Sequence, residues 1–426
     1  MNDIATRGIA IIGLVVFIFL AWLMSSNRKQ FPWRIVTGGL LLQLALAILV
    51  LRTQAGQAFF ESANRAVAAF RDFVNEGSGF VFGLFPGAAE QVGGDRLFLL
   101  STFAFGVLPT VIVFSSLMAV LYHLGVMQLV VQGVAWGMQR TLKTSGPETL
   151  ATAANIFVGH TEAPLVVRPY LDKLTKSELN ALMVGGFSTV TGSLLVSYTE
   201  MGAEAGHLVT ASVISGPAAL LIAKIMQPEE ADAEIETSLI MDQQSSSPNL
   251  IGAATQGASD GLKLALNIAA MLIAFLALLA LADFCVGQLG LLFGLRGAEG
   301  EALLSFTLIL SYLFTPFAWL LGVPWSECLD AGRLLGIKMI ANEFVAYEQL
   351  GEMLSRQSNP LSERTRAIMT YALCGFSNFS AIGIQVGGIG ALAPSRKEEI
   401  ARLGLRAMLG GTLACLMTAC IASAFL

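Results

Sequence analysis

Two glutamates stand in apolar surroundings that leave an ionised carboxylate little water: Glu162, in VGHTEAPLVV, and Glu343, in IANEFVAY. A carboxylate at the centre of a bilayer costs about 2.5–3.5 kcal/mol on insertion scales, so one retained there is expected to bind a ligand or to be paired. Arg168 and Lys338 are close in sequence and offer the paired alternative. Gly159 and Pro164 bracket His160, Thr161 and Glu162. A glycine permits a turn and a proline opens a helix, which is the pattern of a re-entrant hairpin tip whose helix-end dipoles point at a ligand. Gly185, Gly186, Thr189, Thr191 and Gly192 predict a span that unwinds locally. Its freed carbonyls and a threonine hydroxyl would be hard oxygen ligands for a small cation such as Na+. From spacing alone, Thr189 and Asn155 read equally well as ion ligands and as packing residues. Asn378, in CGFSNFSAIGI, carries a carboxamide that donates and accepts. With Glu343 it could hold an uncharged polyhydroxylated ligand, and Phe376 could offer it a ring face or simply pack.

These residues recur in a repeat. ANIFV (154–158) returns as ANEFV (341–345), and GFS (186–188) returns at 375–377. Asn155 and Gly186 are 31 residues apart, Asn342 and Gly375 33. In each half a broken apolar segment precedes a span rich in Gly, Ser and Thr. Clean apolar runs of spanning length lie at about 9–24, 35–51, 97–121, 208–226, 264–282 and 407–426, and more polar ones at 179–198 and 367–386. The fold class is therefore all-α, a polytopic membrane protein with eight transmembrane helices. Residues 59–74 have an amphipathic pattern with Phe59, Ala63, Val67, Phe70 and Val74 on one side, as in an interfacial helix. The expected organisation is an N-terminal scaffold (1–96), a first repeat (97–228) with a hairpin at about 148–171, an acidic polar loop (229–250), and a second repeat (251–426) with a hairpin at about 303–347.

Composition supports this reading and excludes others. The chain is 55% hydrophobic and 13% charged, about half the charge of a soluble domain. A net charge of −5 gives no basic footprint for nucleic acid. The five cysteines lack CxxC spacing and read as small buried hydrophobes. The first apolar run reads as a span rather than a cleaved leader. Placing Arg28, Lys29, Arg140, Lys143, Lys173, Lys176, Arg396, Lys397 and Arg402 in the cytoplasm puts both termini outside and gives the two repeats opposite direction. Arg356, Arg364 and Arg366 then fall on the outer side. Inverted repeats with interrupted helices are the architecture of secondary transporters, with the site at the midplane. No serine stands with His160 in a GxSxG-like turn, which argues against an intramembrane hydrolase; a passive pore gives buried ion ligands no purpose, and a receptor without transport would bind its ligand yet show no flux.

ANIFVGHTEAPLVVRPYL, GGFSTVTGSLL, GIKMIANEFVAY and ALCGFSNFSAIGI resemble, in order, the signature segments of the concentrative nucleoside transporters. The similarity covers essentially the whole chain, including SSNRK after the first span and VLPT of the third. It implies a homotrimer of protomers with eight spans, two re-entrant helical hairpins and interfacial helices, and Na+-driven nucleoside uptake, with H+ in some members. By motif it places His160, Thr161 and Glu162 on the nucleobase, with Leu194 and Leu264 as apolar walls. Glu343 and Asn378 fall on the ribose, with Phe376 and Ser380 nearby. Asn155, Val158, Thr189 and Val190 fall on Na+, mostly through backbone carbonyls. Three positions depart from the pattern: His160 replaces a glutamine, Ala381 a serine, and Gly106 an arginine common in the family. The expectation is a Na+/nucleoside symporter, not an enzyme, of a bacterial inner membrane, in contact with lipids; H+ coupling or an altered nucleoside-like substrate is the alternative that His160 and Ala381 leave open.

Overall fold

A computed structural model describes residues 3–82, 103–160, 162–230, 247–297, 301–357 and 360–426. Within these residues the fold is helical, as long uncharged apolar runs require: in hydrocarbon a backbone satisfies its own polar groups only in helices or closed barrels. α1 (Asp3–Leu23), α2 (Trp33–Arg52) and α3 (Gln54–Phe82) come first, and a π-helical turn at Phe103–Val107 leads into α4 (Leu108–His123). Then follow α5 (Val126–Leu142), α6 (Gly146–Asn155), the single turn α7 (Ala163–Val166), α8 (Lys176–Ser188), α9 (Gly192–Glu200) and α10 (Ala205–Met226). The remainder is α11 (Leu250–Leu292), α12 (Phe306–Leu320), α13 (Cys328–Ile340), α14 (Glu343–Leu354), α15 (Glu363–Leu373), α16 (Phe379–Leu392) and α17 (Lys397–Phe425). The start of the 97–121 run, the boundary at 96, most of the acidic loop and Thr161 lie outside the described residues.

Six described helices are long and apolar enough to cross a membrane, and they coincide with the six clean runs, that at 97–121 only from residue 104 onward. The two polar runs are each split, into α8 and α9 and into α15 and α16. The duplication is visible in the element order: a long helix (α4, α11), a packed helix pair (α5 with α6, α12 with α13), a broken helix, and a core helix (α10, α17). Residues 148–171 hold most of α6, the break after it and α7, while α5 precedes them and turns into α6 at 143–145. Ser145 caps α6 by accepting from Glu148 N, while Glu148 Oε1 accepts from Ser145 N, a capping box that fixes the start of the arm.

Burial separates inner from outer elements. The most apolar stretches of α10 and α17 are 89% and 78% buried, whereas that of α11 is 22% buried. α8, α10 and α17 pack mutually, closely enough that a methyl group at Gly411 of α17 would lie 2.3 Å from Phe187 Cβ. α11 has 43 residues, about 65 Å at 1.5 Å per residue. Its first half extends beyond the apolar run at 264–282 and lies on α4, where Gly257 and Gly261 let the two backbones approach; a methyl at Gly261 would stand 2.8 Å from Ile112 Cα. α3 is amphipathic as expected, docking through Phe70, whose ring meets Phe114 at 5.6 Å, and through Phe60 rather than Phe59. Phe60 meets the His207 ring at 4.8 Å, Asn64 Oδ1 accepts from Gly206 N, and Arg71 pairs with Glu200 at 2.9 Å.

Candidate binding site at the helix breaks

Four interruptions of helix carry the residues singled out above. α6 ends at Asn155, and non-helical backbone follows through Gly159. Thr189–Thr191 separates α8 from α9. Ala341 and Asn342 separate α13 from α14, and Cys374–Asn378 separates α15 from α16. They form one contiguous region. Gly192 N donates to Phe157 O at 3.2 Å, joining the first break to the second. Gly375 has φ +130°, and a methyl there would lie 2.8 Å from Phe187 O and 2.9 Å from the Ser188 carbonyl carbon, so the two split spans cross at their interruptions. Only glycine combines that φ with that closeness. The His160 ring meets Phe376 edge-on at 4.7 Å, joining the first break to the fourth.

The third and fourth breaks meet at Glu343. This carboxylate is buried; Oε1 accepts from Tyr198 OH at 3.2 Å and Oε2 from Asn378 Nδ2 at 2.9 Å. Asn378 also caps α16: its Oδ1 accepts from Ala381 N at 2.9 Å and from Ser380 OH at 2.6 Å. Asn342 caps α14 by accepting from Val345 N at 3.0 Å, so Glu343 stands at the positive end of that helix. Lys338 donates to Ala372 O at 2.8 Å, and among the described residues Glu343 has no ion-pair partner. Its carboxylate is thus held by neutral donors and the helix end. Tyr198 was missed by sequence reasoning; it stacks on Tyr347 at 4.4 Å and meets Phe344 edge-on at 5.0 Å. A tyrosine in an apolar span was its one signal.

The first break carries the other cluster. His160 is buried with neither ring nitrogen partnered. Glu162 is exposed, unpaired among the described residues, and lies near Asp260 of α11. Leu194 is buried on α9, and Leu264 is half-buried on α11. Asn155 is fully buried, and neither its Oδ1 nor its Nδ2 has a partner. It lies on Gly185, where a methyl would be 3.0 Å from Nδ2, and Thr189 OH donates to the same glycine's carbonyl at 2.9 Å. Val158 and Val190 are buried in the non-helical stretches beside it. An orphaned buried carboxamide oxygen among freed backbone suits a hard cation.

Comparison with known proteins agrees. Models of the Na+ dependent nucleoside transporter N-terminus and C-terminus match residues 12–85 and 207–423, and a nucleoside-recognition gate domain matches 104–205. The chain belongs to the Na+-dependent nucleoside transporter family. Within this family it is 44% identical over 417 residues to the uncharacterized transporter YutK of Bacillus subtilis, covering 98% of each chain. It is 42% identical to rat solute carrier family 28 member 3 over 96% of this chain and 57% of that one. The structure of CNTnw in an inward-facing substrate-bound state superimposes with TM-score 0.90 at 40% identity, covering 99% of this chain and 98% of that one. The family is one of multi-pass membrane transporters, not enzymes, whose substrates are nucleosides and whose coupling ion is Na+.

Proposed function

We propose that this protein is a symporter that accumulates nucleosides across a bacterial inner membrane on a Na+ gradient, as a homotrimer with both termini outside. The supporting observation is the meeting of the breaks: Glu343 accepts from Asn378 and Tyr198, and the His160 ring meets Phe376, in an otherwise apolar interior. Glu343 and Asn378 hold the ribose hydroxyls, with Ser380 beside them. His160, Thr161 and Glu162 face the base, Phe376 stacks against it, and Leu194 and Leu264 wall the base side. Asn155, Thr189 and the carbonyls of Val158 and Val190 hold Na+; a carboxamide cannot take up a proton in its place, which favours Na+ over H+.

A neutral nucleoside feels no pull from the membrane potential, whereas each accompanying charge contributes about 2.3 kcal/mol per 100 mV. Na+ bound at Asn155 would fasten the end of α6 to the end of α8, and so shape the tip that carries His160 and Glu162. That coupling is reciprocal: nucleoside tightens Na+ by the factor by which Na+ tightens nucleoside. The re-entrant pairs then move past the scaffold. CNTnw structures in inward-facing, intermediate and outward-facing states, each 40% identical to this chain, support such alternating access.

Titration calorimetry of purified protein with a nucleoside panel, with and without Na+, tests the reading. Wild type is expected to bind at least one nucleoside, more tightly with Na+. Glu343→Gln is expected to lose about 1.5–3 kcal/mol, about tenfold to a hundredfold, for every nucleoside alike, because the ribose is common to all. A loss confined to some bases would remove Glu343 from the sugar.

A further inference from the structure

Gly186 is the meeting point of two buried polar side chains, one of which the site described above does not use. A methyl group there would lie 2.7 Å from His160 Cβ and 2.8 Å from Gln385 Nε2, so the two side chains lie over the same glycine. Gln385 is on α16, two turns beyond Asn378, and is 1% exposed. Its Nε2 donates to Met183 O at 3.2 Å, and its Oε1 has no partner. Because a main-chain carbonyl can only accept, that bond fixes the orientation of the carboxamide: the nitrogen faces α8, and the oxygen is the free atom. His160 beside it has both nitrogens unpartnered at 8% exposure. A neutral imidazole has one donor and one acceptor nitrogen, and its neighbours decide which is which.

We propose that Gln385 is a positioning residue for nucleobase selection: the two side chains are not bonded in this structure, where Nε2 is the Gln385 atom over Gly186, and with nucleoside bound the free Oε1 accepts from His160, which turns the other imidazole nitrogen into an acceptor facing the base. This rests on the nucleoside reading above. An acceptor there favours a base that offers a hydrogen on an exocyclic amine and disfavours one that offers only lone pairs, because two facing acceptors leave both buried and unpaired. The specificity is therefore carried by a residue that touches no substrate. Burying both side chains over a glycine is what makes the pair possible, since any larger residue at 186 would separate them.

The test is competition against labelled nucleoside uptake in proteoliposomes, comparing adenosine with purine riboside and cytidine with pyrimidin-2-one riboside. Each second member lacks only the exocyclic amine. Wild type is expected to prefer the amine-bearing member at least tenfold in one or both pairs. Gln385→Leu, which keeps the volume, is expected to bring that preference to within about threefold while uptake persists, because the imidazole then presents either face. Gln385→Glu, which keeps an acceptor, is expected to restore the preference. Equal competition within both pairs in wild type overturns the proposal whether or not a variant can be prepared, as does an unchanged preference in Gln385→Leu. A wild-type protein that takes up no nucleoside at all would instead overturn the reading on which the proposal rests.

Discussion

Asn155 and Asn342 occupy the same place in the ANxFV repeat, but their side chains differ in occupation. Asn342 is consumed in capping α14, whereas Asn155 is buried with both polar atoms unpartnered. The capped copy is structural, and the orphaned one is available to an ion. Asn342→Ala is accordingly expected to cost about 1 kcal/mol of stability through the lost cap, lowering the melting temperature, with Na+ dependence of uptake unchanged. Asn155→Ala is expected to raise the Na+ concentration for half-maximal uptake about tenfold, the effect of one hydrogen-bond-sized interaction of about 1.4 kcal/mol, without loss of thermal stability. A Na+ titration of uptake and a melting curve for each variant separate the two. The sequence could pair these asparagines, because the repeat preserves their neighbours. It could not tell their roles apart, since those depend on whether an amide three residues on is offered to the side chain. Tyr198 and Gln385 escaped for a related reason: each is a lone polar residue in an apolar helix whose partner lies on a distant segment.

At the scale of elements, uninterrupted apolar runs were legible and everything built on an interruption was less so. α1, α2, α10 and α17 need only length and composition. α5 escaped because glutamines and Arg140 cut its apolar run, although Met127, Val131, Ala135, Met138 and Leu142 give it one buried face at helical spacing. The first half of α11 carries Asp260 and Lys263, so composition alone does not mark it as part of a spanning helix; glycines against α4 hold it. The inner packing depends on similar closeness. Gly411→Ala places a methyl 2.3 Å from Phe187 Cβ, and is expected to cost about 1–3 kcal/mol through overpacking between α8 and α17, seen as a lower melting temperature in detergent. Gly387→Ala on α16 meets nothing within 4 Å and is expected to leave melting unchanged or raise it slightly.

At the scale of the molecule, apolar surface is distributed unevenly. α11 keeps Leu262, Leu266, Ile273, Leu278, Leu281 and Phe284 exposed along its length, which fits a helix facing lipid on one side and other copies of the chain on another. Light scattering in detergent is expected to return three chains per particle; a monomer would contradict the trimer. The three basic residues that the proposed orientation places outside are each held by protein groups: Arg356 faces Asp330 at 3.4 Å, Arg364 donates to Ser423, and Arg366 pairs with Glu363 and Glu204. On the proposed function, a cation gradient drives a neutral nucleoside through the region where the broken helices meet. Accumulation of labelled nucleoside in proteoliposomes under an inward Na+ gradient tests it most directly. Uptake above equilibrium is expected with Na+ outside, and none when choline replaces it. Undiminished accumulation in choline under an imposed pH gradient would contradict the account.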